Sequence, residues 1–556
     1  MKRIHILLTA ILALYLIASC DSPKTLWELA NEKKDVLTIS TIFPARAVHK
    51  YLSTEQGIDS AITWCKDAGI TRVFIEGFRG GYTVERQVLE NARDRFKAAG
   101  IEASGGITTT RIAKPSTNGT NICCFTNTGT REELQKTMEY LASMFDVIMV
   151  DDFLFTHCEC EECLEACGDR RMSEYRCDLM VDVSLNNMLL PSKAVNPNVK
   201  LINKYPRWYD SYHRRGYEVI RQTRDFDIIW VGTETRDSDF SRFDRGWEIT
   251  QYESYFIMRW LTDIGGEKTG GGWYDALGTT PTHYLEQGRQ TVLADVKEIM
   301  LFSYGGLIRE TNNYGNREGT GIANLEAFKK ELPDLFKLAE IVQDKPITGI
   351  QVPKPANSDP AFDFDSEKGF LTEKTDAFVY DFIGMMGLPL VPVESIDPDA
   401  KASFLSLHAL KDREFQGKFS KMVAESKPLL ITEALAEQLE NIDQYENVIV
   451  LDTRDTVRNL LKYDRERLNQ IRDKMMAPFE VKFDAPNSVA FYLMGDGIYI
   501  MENFNNSPVD ASIEANFTGN ETVKLILPAD GEVEFTASKE KLEVSKLSPR
   551  TLVVFQ

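Results

Sequence analysis

The residues best suited to chemistry are carboxylates that follow short apolar runs. Asp151 and Asp152 follow "DVIMV", Glu234 follows "DIIWVGT", Asp275 ends "TGGGWYD" and Glu76 ends "ITRVFIE". A pair of carboxylates can supply a general acid together with a nucleophile or base, as cleavage of a glycosidic bond requires. The catalytic candidates are Asp151, Asp152, Glu234 and Asp275, and Glu76 is expected to bind substrate or tune a pKa.

Aromatic and basic side chains accompany these acids along the chain. Aromatic rings can stack on the apolar face of a pyranose, so acids surrounded by Trp and Tyr suit a sugar site. "FIEGFR" and "VGTETR" each place an Arg beyond a Glu, either as a plain ion pair or to keep the Glu ionised. An acid at a strand end can also simply cap a helix. The predicted substrate-binding residues are Glu76, Arg79, Lys204, Tyr205, Trp208, Arg236, Trp273 and Tyr274.

The elements that must position these residues alternate between strand-like and helix-like segments from Val36 to Val342. Eight such units predict a (β/α)8 TIM barrel, in which chemistry lies at the C-terminal ends of the strands. The alternative is an open doubly wound sheet, but the sequence has no Gly-rich phosphate fingerprint to support it. Since neighbouring side chains on a strand point in opposite directions, one of Asp151 and Asp152 should face the barrel axis and the other the surrounding shell.

Two further regions follow the barrel, which we assign to residues 21–344. Residues 345–477 alternate helix and strand with four visible strands, which indicates a small flavodoxin-like α/β domain. Residues 478–556 contain short alternating strands separated by Asn, Gly, Asp and Pro turns, which is typical of a β-sandwich. The expected class is therefore α/β, with a C-terminal β domain.

A compact cysteine cluster follows Asp152 with the spacing C-x-C-x-x-C. Neighbouring cysteines at this spacing meet the geometry of disulfides poorly, whereas zinc accepts four thiolates tetrahedrally. Such a zinc would be structural, because four thiolates leave no open coordination position. The alternative is disulfides, for example between Cys167 and Cys177, as in an oxidising envelope. The predicted ligands are Cys158, Cys160, Cys163 and either Cys123 or Cys124.

The N-terminus reads as an export signal over residues 1–20, with Lys2 and Arg3 before a short apolar run. "IASC" resembles the lipobox of bacterial lipoproteins, in which the cysteine, here Cys20, is lipidated. The alternative is a plain secretory signal. We expect a lipid-anchored protein of the cell envelope, at the outer membrane or the periplasmic face, that touches the membrane through its lipid only. A net charge of −20 argues against nucleic acid as a partner.

The acid at the end of strand four, the C-x-C-x-x-C cluster and a cysteine in the preceding loop together resemble glycoside hydrolase family 42 β-galactosidases and related barrels. The resemblance implies a barrel, an α/β trimerisation-type domain and a small β domain in that order. It also implies structural zinc, as in some members, and a homo-oligomer. That family has Asn-Glu at strand four and Glu at strand seven, where this chain has Asp151–Asp152 and Asp275.

The acids also resemble the pattern of clan D α-glycosidases, which place an Asp nucleophile after strand four and an acid after strand six. That pattern implies Asp152, or Asp151, with Glu234, and Asp275 as the reserve partner. We therefore expect a glycoside hydrolase of oligo- or polysaccharides with no organic cofactor. The alternatives are a non-catalytic glycan-binding lipoprotein and a structural protein that assembles through its α/β domain.

Overall fold

The computed structural model describes residues 24–237, 250–310, 320–359, 376–453 and 455–556. The predicted signal segment and Cys20 lie outside the described residues. Within the described ranges, no helix combines the length and the apolar character that crossing a membrane would need.

The first half of the chain forms a closed parallel barrel. β1 pairs with β2 on one side and with β8 on the other, so the sheet has no free edge between its first and last strands. The predicted (β/α)8 barrel is confirmed. Its strands are β1 (Thr38–Phe43), β2 (Arg72–Arg79), β3 (Glu102–Ile107), β4 (Val147–Val150), β5 (Lys200–Tyr205), β6 (Ile228–Gly232), β7 (Thr269–Asp275) and β8 (Glu298–Phe302).

An apolar layer fills the barrel interior below the acids. The glycines of β7 make room for it, because a Cβ on Gly271 would lie 2.4 Å from the Glu298 carbonyl oxygen and 3.1 Å from the Trp230 ring. Gly270 and Gly271 are therefore required by the close approach of the Trp230 indole, and Gly271 also by the backbone of β8. The layer consists of Ile42, Phe74, Met149, Ile202, Trp230, Trp273 and Met300.

Helices surround the barrel and bury one face each against it. In Arg86–Ala98, for example, the buried residues Leu89, Ala92 and Phe96 recur at helical spacing. A π-helical turn, Ser184–Leu189, joins two of the segments. The helices of this region are Leu26–Glu32, Ala45–Leu52, Glu55–Asp67, Arg86–Ala98, Thr128–Ala142, Glu161–Cys167, Met172–Val183, Leu190–Val195, Tyr212–Arg215, Val219–Asp225, Tyr252–Gly265, Pro281–Leu293, Tyr304–Leu307 and Gly321–Val342.

The α/β domain is built on a five-stranded parallel sheet with the order β10-β9-β11-β12-β13. This second-first-third-fourth-fifth order is that of flavodoxin-like sheets. Only four of these strands are evident from the sequence. The additional strand is β9, a short run between Gly349 and Pro355. The strands are β9 (Ile350–Pro353), β10 (Leu390–Val393), β11 (Ser403–Leu405), β12 (Leu429–Thr432) and β13 (Val448–Leu451), and the helices are Tyr380–Ile383, Phe415–Ala424, Glu433–Ala436 and Arg465–Met476.

The C-terminal region consists of two antiparallel sheets that face each other. Phe483 of one sheet stacks on Phe491 of the other, with ring centroids 4.4 Å apart. The short strand Ile347–Thr348, which precedes the α/β domain, joins the edge of the larger sheet. The strands are β14 (Lys482–Asp484), β15 (Val489–Met494), β16 (Ile498–Asn503), β17 (Val509–Glu514), β18 (Val523–Leu527), β19 (Val533–Ala537), β20 (Lys541–Leu547) and β21 (Thr551–Phe555).

Candidate active site

Asp151 lies at the centre of a buried ion cluster at the C-terminal ends of β2, β4 and β5. Lys204 Nζ donates to its Oδ1 over 2.6 Å, and Thr108 Oγ1 lies 3.0 Å from its Oδ2. Arg79 donates to the same Oδ2. Burial alone would raise the pKa of Asp151, but Lys204 and Arg79 outweigh it and hold that pKa below its usual range. Asp151 therefore stays ionised near neutral pH.

Glu76 is fully occupied as a hydrogen-bond acceptor. Arg79 contacts both carboxylate oxygens, over 2.8 and 2.9 Å, and Thr108 Oγ1 donates over 2.6 Å. The backbone N–H of Ala45 adds a further bond of 2.9 Å. Since no part of Glu76 is exposed to solvent, its role in this arrangement is to fix Arg79 beside Asp151.

Asp152 and Glu234 differ from this ion cluster. Burial, and next the neighbouring charge of Asp151, raises the pKa of Asp152 to about 7. Burial raises the pKa of Glu234 to about 8, and the charges of Asp152 and Asp275 act in the same direction. Two nearby carboxylates with raised pKa values can hold one proton near neutral pH, which is the condition for general acid catalysis.

The Arg that follows Glu234 in the sequence serves another acid. Arg236 Nε and Nη2 donate to the two oxygens of Asp275, over 3.1 and 3.0 Å. Arg236 has a left-handed backbone (φ +58°), which is uncommon for a residue with a side chain. The question raised by "VGTETR" is thus resolved: the bidentate partner of this Arg is the acid of β7.

The side of the site beyond β5 is aromatic and basic. Trp208 is half-buried. Its ring lies 5.3 Å from that of Phe155 and 5.4 Å from that of Tyr217, and the Arg215 guanidinium sits 4.4 Å above it. Arg207 Nη1 lies 3.8 Å from a Glu253 carboxylate oxygen, and its charge acts to lower the pKa of Glu234. Trp208 is therefore the aromatic residue among the predictions that remains accessible to a sugar.

Three predicted substrate-binding residues do not reach the site. Tyr205 and Tyr274 point out of the barrel, because they alternate with the inward-facing residues of β5 and β7. The Tyr205 hydroxyl contacts Val219 O and Thr223 Oγ1, and the Tyr274 ring packs on Tyr284. Trp273 faces inward but belongs to the barrel core, with Lys204 Nζ 3.8 Å from its ring centroid.

The directions of Asp151 and Asp152 are only partly defined by the structure. Asp151 faces the barrel axis, where it meets Lys204. Asp152 lies beyond the end of β4 and is partly exposed. Its charge acts to raise the pKa of Glu234 and that of Tyr217, whose ring packs against the outward-facing Tyr205, so its direction toward the surrounding shell stays a prediction.

Three residues of the site were not predicted. Thr108 bridges Glu76 and Asp151, and its position directly after β3 was the available signal. Glu253 lies beside Arg207 but comes from a helix, which the strand-end rule does not cover. The Tyr217 hydroxyl is fully buried and has no hydrogen-bond partner among the described residues, and the charge of Asp152 contributes to raising its pKa.

The cysteine cluster lies in the loops that follow β3 and β4. The sulfur of Cys124 lies 3.5 Å from that of Cys163 and 3.7 Å from that of Cys160, and Cys160 and Cys163 are 3.7 Å apart. Cys158 completes a set whose four ligand atoms lie within 4.8 Å of one another. Four thiolates placed tetrahedrally around zinc at ~2.3 Å would be ~3.8 Å apart, so these residues fit the metal.

The remaining cysteines stand apart from this set. Cys123 was the alternative fourth ligand, but its sulfur donates to Thr109 O and accepts from the Ile112 N–H. All eight cysteines of the described ranges are free, so the suggested Cys167–Cys177 disulfide is absent there. The sulfur of Cys167 instead contacts the backbone carbonyl of Arg170, and that of Cys177 contacts the backbone carbonyl of His213.

Comparison with known proteins identifies the family. A model of the family described as "Probable glycosyl hydrolase, catalytic domain" matches residues 24–344, which is the entire barrel. The chain belongs to this family. The prediction of a glycoside hydrolase barrel from the positions of the acids is thereby confirmed at the level of the superfamily.

Individual relatives are distant. The chain is 21% identical over 378 residues to the uncharacterized protein SSO3021 of Saccharolobus solfataricus, covering 62% of this chain and 58% of that protein. The α-L-fucosidase isoenzyme 2 of Paenibacillus thiaminolyticus superposes with a TM-score of 0.57 at 9% identity, over 93% of this chain and 99% of that one. An exo-carrageenase of family 42 from Bacteroides ovatus gives 0.49 at 10% identity, over 93% of this chain and 79% of that one. These likenesses concern the fold, so the family 42 assignment stays a prediction.

Proposed function

We propose that the protein hydrolyses glycosidic bonds in an oligo- or polysaccharide, with Glu234 as the proton donor and Asp152 as the nucleophile or general base. The observation that carries the proposal is the division among the carboxylates. Asp151 and Glu76 are held by cations and hydroxyls, whereas Asp152 and Glu234 have raised pKa values at the same barrel face. A carboxylic acid with a raised pKa is what protonation of a leaving oxygen requires.

The other residues of the site have supporting roles in this proposal. Glu234 in its neutral form donates its proton to the glycosidic oxygen, while ionised Asp152 attacks the anomeric carbon or activates water. Asp151, whose charge Lys204 and Arg79 compensate, holds these two cations in place beside the site. Trp208 offers an aromatic face to the pyranose, and Arg236 keeps Asp275 in place beside Glu234.

The test is turnover of a panel of aryl α- and β-glycosides, including aryl α-L-fucosides because of the structural neighbour, by the protein lacking residues 1–20. Asp152→Asn and Glu234→Gln should each lower kcat/KM by at least ~10³-fold, about 4 kcal/mol of barrier. Glu102→Gln is the matched control, since Glu102 begins β3 at the opposite end of the barrel. It should keep full activity.

Other outcomes assign the roles differently. Retained activity in Glu234→Gln would transfer the proton donor's role to Asp275. If the unmodified protein turns over nothing on the panel but binds a glycan with an affinity that Asp152→Asn leaves unchanged, the non-catalytic glycan-binding function would replace the proposed one.

We also propose a structural zinc ion held by Cys124, Cys158, Cys160 and Cys163. The sulfur separations support it, and zinc there would join the segments after β3 and β4, the second of which begins with Asp151 and Asp152. Metal analysis of the purified protein should give one zinc per chain. Cys124→Ser should lose the metal, whereas the neighbouring Cys123→Ser should keep it. Absence of zinc after purification with added zinc, or the reverse pattern in these two variants, would contradict the site.

The proposed location is the cell envelope, with the chain anchored by lipid on Cys20. The support is the lipobox-like "IASC" after an apolar run that follows Lys2 and Arg3. Mass spectrometry of the mature N-terminus after expression in a bacterium should detect a diacylated Cys20, and Cys20→Ala should release the protein from membranes. An assembly of several copies remains a prediction of the family 42 resemblance.

A further inference from the structure

A buried carboxylate of the barrel lies inside the α/β domain. Asp210 belongs to the segment 206–211, which follows β5 and also carries Arg207 and Trp208. Only 2% of Asp210 is exposed. Its carboxylate accepts from His408 Nε2 over 2.9 Å and from the Phe378 N–H over 2.6 Å, and Lys354 Nζ lies 3.5 Å away.

These donors converge at one place in the α/β fold. Lys354 directly follows β9 and His408 follows β11, so both lie at the carboxyl ends of parallel strands. In sheets of this topology, that edge forms the crevice in which ligands usually bind. Here the occupant of the crevice is a side chain of the barrel itself. Asp210 therefore occupies the position in the α/β domain at which sheets of this topology usually bind a ligand.

His408 is held in a defined orientation by its own neighbours. An ionised carboxylate can only accept, so the hydrogen between Asp210 and His408 is on Nε2. Ser406 Oγ lies 3.0 Å from Nδ1, and the Tyr380 hydroxyl lies 3.0 Å from the same Ser406 oxygen. The Tyr380 ring centroid is 4.9 Å from that of the imidazole. The imidazole therefore has little freedom to turn away from Asp210.

The residue before Asp210 is anchored in the same domain. The Tyr209 hydroxyl donates to Asp381 Oδ1 over 2.6 Å, and its ring lies 5.3 Å from that of Phe378. Two consecutive side chains of the segment are thus fixed by the α/β domain, while the two preceding ones, Arg207 and Trp208, face the active site. A shift of the anchored pair would be transmitted to the site over a single residue.

We propose that Asp210 and His408 are positioning residues, through which the α/β domain holds segment 206–211 so that Arg207 and Trp208 stay beside Glu234. This inference rests on the proposed hydrolase function of the same site. Neither residue touches the reacting atoms in this arrangement. Misplacing catalytic groups by about 1 Å can cost ~10²-fold in rate, which sets the expected size of the effect.

The experiment combines hydrogen–deuterium exchange of the peptide covering 206–217 with kcat/KM on an aryl glycoside that the unmodified protein cleaves. His408→Ala should make this peptide exchange about tenfold faster and lower kcat/KM by ~10²-fold. His408→Gln, which keeps an amide N–H donor, should restore most of both. Lys421→Met is the control, because it breaks an exposed pair with Asp399 within the α/β domain that takes no part in holding Asp210, and it should leave both readouts unchanged.

The two readouts separate the inference from the hydrolase function. Faster exchange in His408→Ala without any turnover by the unmodified protein would contradict the hydrolase and keep the anchoring. Unchanged exchange, or a loss of activity no larger than that of Lys421→Met, would overturn the positioning role. Should His408→Ala fail to fold, the isosteric Asp210→Asn is measured in its place. It removes the negative charge that Lys354 and His408 face and should produce the same pattern.

Discussion

The two sides of the barrel mouth treat their carboxylates differently. On the side of β2 to β5, Glu76 and Asp151 share Arg79, Lys204 and Thr108, so every acid has close donors. Toward β6 and β7, Arg236 binds Asp275, and burial, assisted by the charges of Asp152 and Asp275, raises the pKa of Glu234. Asp152 stands between the two sides.

This difference indicates how one fold can use similar acids for separate tasks. Where cations and hydroxyls compensate the charge, the carboxylate stays ionised and contributes structure and electrostatic potential. Where burial and like charges dominate, the carboxylate keeps a proton near neutral pH and can donate it. Residue type alone does not separate the two roles. Each side contains an Asp and a Glu, and on each side an Arg follows the Glu closely in the sequence.

The largest expected effect comes from removing a cation that compensates the charge of Asp151, on the side of the barrel mouth formed by β2 to β5. Lys204→Met leaves Asp151 buried with part of its charge unpaired, which should lower the free energy of unfolding by roughly 3–5 kcal/mol. The matched control Lys136→Met breaks an exposed pair with Glu133 and should cost less than ~1 kcal/mol. Chemical denaturation followed by tryptophan fluorescence measures both. Equal losses would mean that the Lys204 pair is no more important than a surface pair.

The pH dependence of activity tests the protonation states assigned to Asp152 and Glu234. Activity needs ionised Asp152, whose pKa is about 7, and protonated Glu234, whose pKa is about 8. Hence kcat/KM should be highest between these values, falling below as Asp152 gains a proton and above as Glu234 loses one. Arg236→Met should move the alkaline limb to higher pH, because Arg236 lowers the pKa of Glu234. Arg93→Met, on an outer helix, should not. An unshifted limb would exclude Glu234 as the group that it reports.

Much of the fold could be predicted because the signals are local. Eight apolar runs separated by helical periodicity specify the barrel, and the rule for its C-terminal face then selects Asp151, Asp152, Glu234 and Asp275 from the many acids of the chain. The C-x-C-x-x-C spacing likewise identified three of the four cysteines that converge. These inferences need only the order of residues along the chain.

The pairings inside the site could not be predicted because they depend on register between strands. Arg79 follows Glu76 in the sequence and does bind it, but it also reaches Asp151 at the end of β4, two strands away. Arg236 follows Glu234 and binds Asp275 instead. Which carboxylate keeps a proton near neutral pH depends on these ion pairings. The sequence also does not show that the α/β domain holds the segment after β5, because His408 lies far along the chain from Asp210.

The smallest expected effects belong to the two tyrosines that were wrongly placed in the site. Tyr205→Phe removes contacts to Val219 and Thr223 and should cost about 1 kcal/mol of stability, whereas Tyr274→Phe removes a buried hydroxyl without a partner among the described residues and should be neutral or stabilising. Both should keep kcat/KM within about twofold. Trp208→Ala, at a half-buried position beside the site, should lose about tenfold or more through a raised KM. If either Tyr variant matched Trp208→Ala, the outward direction of these side chains would be wrong, and the aromatic lining of the site would extend to β5 and β7 as the sequence suggested.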